Sequence, residues 1–306
     1  MKTSVITITL LLLWHGMLLA QEELPLSVPN DQIKPLRSLV DTKLQISLEN
    51  QLMKNPKWKK LIDSKRMAVG VVDLRDPNKV AFARINGNHM MYAASLPKIA
   101  ILLAAMDAIE KGDLKETSEV KKDMQLMISK SDNAASTRMI DRVGYDQIEH
   151  VMTDPEYEFY DEETGGGLWV GKRYGGGGDT HREPLKNLSH AATVTQVCRY
   201  YYLLVNGELV TRERSSQMLD ILENPALHHK FVNTLNILAP DARIFRKSGS
   251  WKNYHSDSVL VWGIDKNRRY ILVALIEDPA GEQIIRNLVR PVETALKTVK
   301  NYKKVN

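Results

Sequence analysis

Three short segments carry residue types that could act on a carbonyl group. The first is Ser95-Leu96-Pro97-Lys98. Proline is tolerated in the first turn of a helix, so Ser95 is expected at or near a helix N-terminus, where unpaired N–H groups and the helix dipole favour negative charge. Lys98 lies three residues on, on the same helical face. It stands at the foot of a segment that is apolar nearly all round (Ile99, Ile101, Leu102, Leu103, Ala104, Ala105, Met106, Ile109). An amine held against such a segment is desolvated, its pKa falls, and the neutral form can take the proton of the serine hydroxyl. That would be an activated nucleophile. The structural alternative is a capping serine beside a lysine whose stem follows apolar surface while its head stays in water.

The second segment, Ser131-Asp132-Asn133, falls at another predicted helix start, where all three residue types are favoured as caps. The third, Lys247-Ser248-Gly249-Ser250, ends a predicted strand and, taken alone, is a strand running into a turn. Each segment has a structural explanation of its own. Their joint occurrence in this order, a lysine-activated serine, a hydroxyl-plus-amide pair and a Lys-Ser-Gly strand, is left unexplained by any of them.

The elements that hold these segments follow from periodicity. Apolar positions at helical spacing from Leu36 to Ile62, broken near Asn55-Pro56, predict one or two amphipathic helices, and 67–73 with 80–84 predict a hairpin. A buried helix follows from Ser95 to Glu110, then helices near 117–129, 132–142, 145–152, 191–206 and 211–222. Gly165-Gly166-Gly167 and Gly175 to Gly178 mark a mobile or tightly turning loop region. Strands near 242–247, 256–264 and 269–276 precede a closing helix, 282–302, in which Pro291 should make a kink or a break. Strands at both ends and helices between them predict an α/β (α+β) fold: one antiparallel sheet of about five strands from both chain ends, flanked by terminal helices, with an inserted all-helical lobe. The expected boundaries are 36–90 and 223–306 for the α/β part and 91–222 for the lobe.

The three segments match the signature elements of the penicillin-recognising serine hydrolases, and the chain resembles class A β-lactamases most closely, from about Met67 to the final helix. The resemblance implies that Ser95 forms an acyl-enzyme, Lys98 takes its proton and Ser131 relays a proton to the leaving nitrogen. It further implies that Asn133 binds the substrate's side-chain amide, Lys247 and Ser248 its carboxylate, and that the N–H groups of Ser95 and Ser250 form the oxyanion hole, Gly249 lying in the same substrate-binding strand. Asp132 is expected to be structural. Two departures stand out. Ser131 follows Ser95 by 36 residues, a short interval that predicts a trimmed lobe and a more open cleft. Arg182-Glu183-Pro184-Leu185-Lys186-Asn187 fits the family's Glu-Pro-x-x-Asn loop, but with Lys186 where an apolar residue is usual and fewer residues before the next helix. Glu183 is therefore either the base that activates the hydrolytic water or a solvated loop carboxylate beside Arg182.

Those alternatives divide the function. With Glu183 on the water the protein is a β-lactamase; without it, a peptidoglycan DD-peptidase or penicillin-binding protein with slow deacylation. A non-catalytic binding module is the third reading, opposed by the intact serine and both lysines. The expected partner is a small-molecule β-lactam or a peptidoglycan peptide, with no cofactor, no metal, no nucleic acid and a monomeric chain.

The remaining features agree with such a protein. At 306 residues, 43% hydrophobic and 26% charged, the chain is globular in composition rather than disordered or fibrous. Its one cysteine, Cys198, excludes an intramolecular disulfide and a thiolate zinc cluster, and is expected in the core. His228 and His229 are adjacent and would diverge on a helix, and no Gly-Lys-Ser/Thr follows the glycine runs, so neither a metal clasp nor a phosphate cradle is expected. Lys2 and the apolar run from Val5 to Leu19, ending at Ala20, predict a signal peptide over 1–20 and a periplasmic or secreted protein. An uncleaved anchor is the rival. An extended leader, 21–35, with Pro25, Pro29 and Pro35 follows.

Overall fold

The computed structural model describes residues 23–302; the predicted signal peptide lies outside the described residues. Five antiparallel strands form the main sheet, in the order β2-β1-β8-β7-β6. They are β1 (Met67–Asp73), β2 (Ala81–Ile85), β6 (Arg243–Trp251), β7 (Tyr254–Trp262) and β8 (Arg269–Glu277), so both chain ends supply it, as periodicity required. Alternation sorts the side chains between two cores. Val69, Val71, Leu272 and Ala274 face helices α1 (Thr42–Leu52) and α10 (Gly281–Tyr302), joined there by Leu44, Leu48, Leu288 and Val292. Ala68, Val72, Ile271 and Val273 face the other way, with helix α7 (Val194–Asn206). A Cβ on Gly70 would stand 2.7 Å from the Cys198 sulfur, so that glycine lets α7 lie close against β1.

Between the sheet's two halves of sequence sits a lobe of helices. Its axis is α3 (Lys98–Lys111), with every residue from Lys98 to Ile109 buried, packed by α4 (Ser118–Ser129), α5 (Asn133–Val143), α6 (Tyr145–Thr153) and α8 (Arg212–Leu222). A helix apolar on all sides can only be a central one. Asn55 and Thr117 cap their helices through side-chain oxygens, as Asp41 does for α1.

Four details depart from the sequence-based expectation. The helix placed at 191–206 starts only at Val194, because Thr193 caps it; His190–Ala192 is instead strand β5, paired with β3 (Met91–Tyr92) and β4 (Trp169–Val170) in a second small sheet. Such two- and three-residue strands leave no periodic signal. The 242–247 strand runs on to Trp251, so Ser248, Gly249 and Ser250 lie inside β6 at the sheet edge rather than at its turn. Helix α10 runs through Pro291 without a break: the lost hydrogen bond is offset by the apolar face that Ile285, Leu288, Val289 and Val292 bury. A short helix, α9 (Phe231–Leu238), had no clear period and docks against α10.

Candidate active site

The Ser95 turn, the start of α5 and the outer edge of β6 meet at one cleft of about 540 Å³, lined by Ser95, Asn133 and Ser250 among others. Ser95 precedes α3 in a tight run of turns, with Lys98 N donating to Ser95 O at 3.3 Å and Leu96 N to Ala93 O at 3.1 Å. The edge of β6 presses on this turn so closely that a Cβ on Gly249 would fall 2.4 Å from Ala93 O and 2.5 Å from Ser95 N. Only a hydrogen fits there.

Lys98 is fully buried, and its amine reaches across to the second segment. It donates to Ser131 O at 2.7 Å and Asn133 Oδ1 at 2.9 Å, with Ser131 Oγ at 3.4 Å, and its remaining face lies over the Tyr174 ring, 4.4 Å from the centroid. Among the described residues no hydrogen bond joins Lys98 to the Ser95 hydroxyl. Asp132 caps α5 by accepting from Ala135 N at 2.6 Å, which holds Ser131 in a left-handed conformation, φ 57°, facing the lysine. Burial lowers the Lys98 pKa to about 7, against the opposing pull of Asp132, so a large fraction of the amine is neutral near neutral pH.

Lys247 approaches Ser131 from β6. Its amine donates to Ser131 Oγ at 2.9 Å and Ser248 O at 2.7 Å. Burial, with the Lys98 charge after it, holds its pKa well below the lysine range. The Ser131 hydroxyl thus sits between two desolvated amines. Behind β6 lies a third, Lys230, which sequence reasoning passed over. Its amine donates to Gly249 O at 2.6 Å, Ser250 Oγ at 2.8 Å and Ser256 O at 3.0 Å, and burial lowers its pKa to about 8. His229, next to it, lies with Nε2 3.4 Å from Ser248 Oγ. Neither residue is on a helix that its apolar spacing could have announced; Lys230 has φ 56° at the cap of α9.

Glu183 is only 1% exposed and does not line the cleft. Its carboxylate accepts from Tyr160 OH at 2.9 Å and from Leu185 N at 2.8 Å, Lys186 N at 2.9 Å and Leu188 N at 2.8 Å. The reading of a solvated carboxylate is therefore corrected: the loop folds around its own glutamate, since three N–H groups that no sheet or helix satisfies need an acceptor. Tyr174, whose ring lies under the Lys98 amine, donates its hydroxyl to Ala94 O at 3.2 Å and has its ring 4.2 Å from His190. Both were missed, Tyr174 inside the glycine-rich segment and His190 at a supposed helix start. Burial lowers the His190 pKa to about 4, leaving a neutral ring whose Nε2 donates to Lys172 O at 2.9 Å. Cys198 is buried in the core, as expected.

Residues 56–125 and 116–296 match the family model described as the beta-lactamase enzyme family. No curated protein matches the chain. Among solved structures, a β-lactamase from Sphaerobacter thermophilus superposes with a TM-score of 0.63 at 18% identity, over 84% of this chain and 98% of that one. A representative class A β-lactamase from Bacteroides cellulosilyticus gives 0.62 at 16%, over 84% and 100%. A variant of PBP-A, solved as an acyl-enzyme complex with penicillin G, gives 0.61 at 19%, over 87% and 98%. At these identities the likeness is one of fold.

Proposed function

This chain belongs to the beta-lactamase enzyme family, and on that premise we propose that it opens the β-lactam amide through an acyl-enzyme formed on Ser95. One observation carries the reading: the Ser131 hydroxyl lies 2.9 Å from Lys247 Nζ and 3.4 Å from Lys98 Nζ, and Lys98 Nζ donates to Asn133, which lines the cleft with Ser95. In this reading Ser95 Oγ attacks the carbonyl carbon and its proton passes to the neutral Lys98 amine. The carbonyl oxygen takes up negative charge between the N–H groups of Ser95 and Ser250, the former beside Gly249 at the tight contact of strand and turn. As the C–N bond breaks, Ser131 gives its proton to the nitrogen and recovers one from a flanking lysine. Asn133 turns its Oδ1 to Lys98, which leaves its amide nitrogen to donate to the acyl side chain. Lys247 and Ser248 face the substrate carboxylate. Water then cleaves the ester.

A fluorescent penicillin tests this directly. Labelling of the parent and a dark Ser95→Ala variant support it; an unlabelled parent, with no added drug mass on the intact chain, refutes it and leaves the binding-module reading.

The occupied carboxylate of Glu183 favours a second reading of the same site, in which the acyl-enzyme forms but β-lactams leave it slowly and the natural substrate is a peptide. A hydrolytic base needs to reach the water, and a carboxylate engaged by four donors is not free to. An exported location would suit either substrate. Among the described residues no helix is long and apolar enough to cross a membrane.

A further inference from the structure

Beyond Ser95 the cleft is lined by groups of two kinds. The rings of Tyr92 and Tyr254 meet edge to face, centroids 5.3 Å apart, and Trp251, 57% exposed, lines the cleft with them. Lys172, Arg173 and Arg182 line it as well. Arg173 is neutralised, donating to Asp141 at 2.7 Å. Its neighbours are not: Arg182 donates to the backbone oxygen of Asn187 at 3.0 Å, and no ion pair engages Lys172 or Arg182 among the described residues. Among the described residues no aspartate or glutamate lines the cleft. His190, between these cations and Lys98, is held neutral and adds no charge of its own.

Two cations without counter-ions on the wall of a concave site focus positive potential into it. Lys247 and Ser248 already account for one substrate carboxylate under the proposed function, and neither is among the residues that line the cleft with Lys172 and Arg182. We infer that the cleft selects acyl donors whose side chain carries a second carboxylate, received by Lys172 and Arg182, beside an aromatic or apolar group that rests on Tyr92, Tyr254 and Trp251. The inference rests on the acyl-enzyme reading and adds the substrate class to it. Selection of this kind is electrostatic, so it weakens as salt screens the pair.

Three penicillins that differ at one side-chain position separate the two claims: benzylpenicillin, its α-carboxy derivative carbenicillin and its α-amino derivative ampicillin. The second-order rate of acylation is measured for each by intact mass at low and high ionic strength. The expected order is carbenicillin, benzylpenicillin, ampicillin, with about a tenfold advantage for the first over the second at low salt that shrinks as salt is added. In the Lys172→Ala/Arg182→Ala double variant the ratio of the first two rates falls to near one, whatever happens to the rates themselves. In Arg182→Glu it inverts. Ratios are read only from variants whose melting temperature matches the parent's, and Lys172→Gln/Arg182→Gln serves if the alanine pair is unstable. Equal acylation by all three penicillins, or a ratio that the variants do not move, overturns the inference while leaving the acyl-enzyme intact. Absence of any adduct overturns the acyl-enzyme reading instead.

Discussion

Replacing Glu183 by glutamine separates a base from a brace. In the structure the carboxylate serves four donors at 2.8 to 2.9 Å: Tyr160 OH and the N–H groups of Leu185, Lys186 and Leu188. An amide of the same shape keeps one oxygen for about two of them and turns its NH₂ group on the rest, which are donors themselves. Charge-assisted hydrogen bonds contribute about 1.5–3 kcal/mol each. Losing two, with some relaxation of the loop, should cost about 3 kcal/mol, or about 5 °C in melting temperature for a chain of this size. Under the slow-deacylation reading the lifetime of the penicilloyl adduct should change by less than about threefold, since a bracing carboxylate removes nothing from the water's attack; loss of a true general base would slow it about 10²–10⁴-fold. The assay is decay of the adduct mass after excess penicillin is removed, alongside a thermal melt. A glutamine variant that melts within about 2 °C of the parent yet keeps its adduct a hundred times longer would refute the reasoning and make Glu183 the base. Tyr160→Phe, which releases one donor, should lower the melting temperature and leave the adduct lifetime alone.

Gly249→Ala brings a Cβ to 2.4 Å from Ala93 O, 2.5 Å from Ser95 N and 2.8 Å from Leu96 N, all of them backbone atoms that cannot swing aside; acylation should fall at least a hundredfold, as read by the second-order labelling rate, with a stability loss of about 1–3 kcal/mol. With Lys98 acting as a neutral base at a pKa of about 7, the acylation rate should rise with pH through that value and level off above it. Because the unfolded chain holds protons on Lys98 and Lys230 up to the ordinary value of 10.5 while the folded chain releases them at about 7 and about 8, melting temperature should climb from pH 7 to about pH 8.5, above which the buried Cys198 thiol and tyrosines, pushed up by burial, oppose the rise; a flat or falling profile between those values would mean that the amines stay charged. Asp257→Asn removes the partner of Arg246, bound at 2.7 and 3.0 Å with both groups buried, and should destabilise by about 3–5 kcal/mol in urea unfolding.

Legibility tracked the kind of physics involved. The sheet was readable at 67–73 and 269–276 because strands buried on both faces are continuous apolar runs, and α3 because no polar stripe interrupts it. The three signature segments were readable because each combines a reactive side chain with a local structural signal. What could not be read is what depends on direction. Lys98 was expected beside the Ser95 hydroxyl from their spacing, yet a buried amine donates where the acceptors are densest, and the Ser131 carbonyl with Asn133 Oδ1 wins. Tyr174 and His190 reach the site through the small sheet and the loop beside it, neither of which announces itself in periodicity. Glu183 sits in a matching motif and still turns inward, because its direction is set by three backbone donors that only the folded loop creates.

The buried charges around β6 explain why this site can hold reactive amines at all. Lys98, Lys230, Lys247 and Arg246 are buried near Asp257, whose carboxylate is taken by Arg246 in a two-fold hydrogen bond, while the carboxylates of Asp132 and Glu282 act on Lys98 and Lys230 respectively without a hydrogen bond. Burial strips each ammonium of the water that would solvate it, and lysine yields its proton under that penalty whereas a guanidinium does not, so the arginine takes the hydrogen-bonded counter-charge and the lysines are held below their ordinary range. Carbonyl and hydroxyl oxygens, Ser131 O for Lys98, Ser248 O for Lys247 and Gly249 O for Lys230, then keep each amine hydrogen-bonded without pinning it as a cation. A second carboxylate placed among them would restore the charge of the lysines and silence the base. On this account the depressed amines follow from burial without a hydrogen-bonded carboxylate, and adding one, for instance by Ser256→Asp beneath Lys230, should raise the pH at which acylation begins even though the reacting serine is untouched.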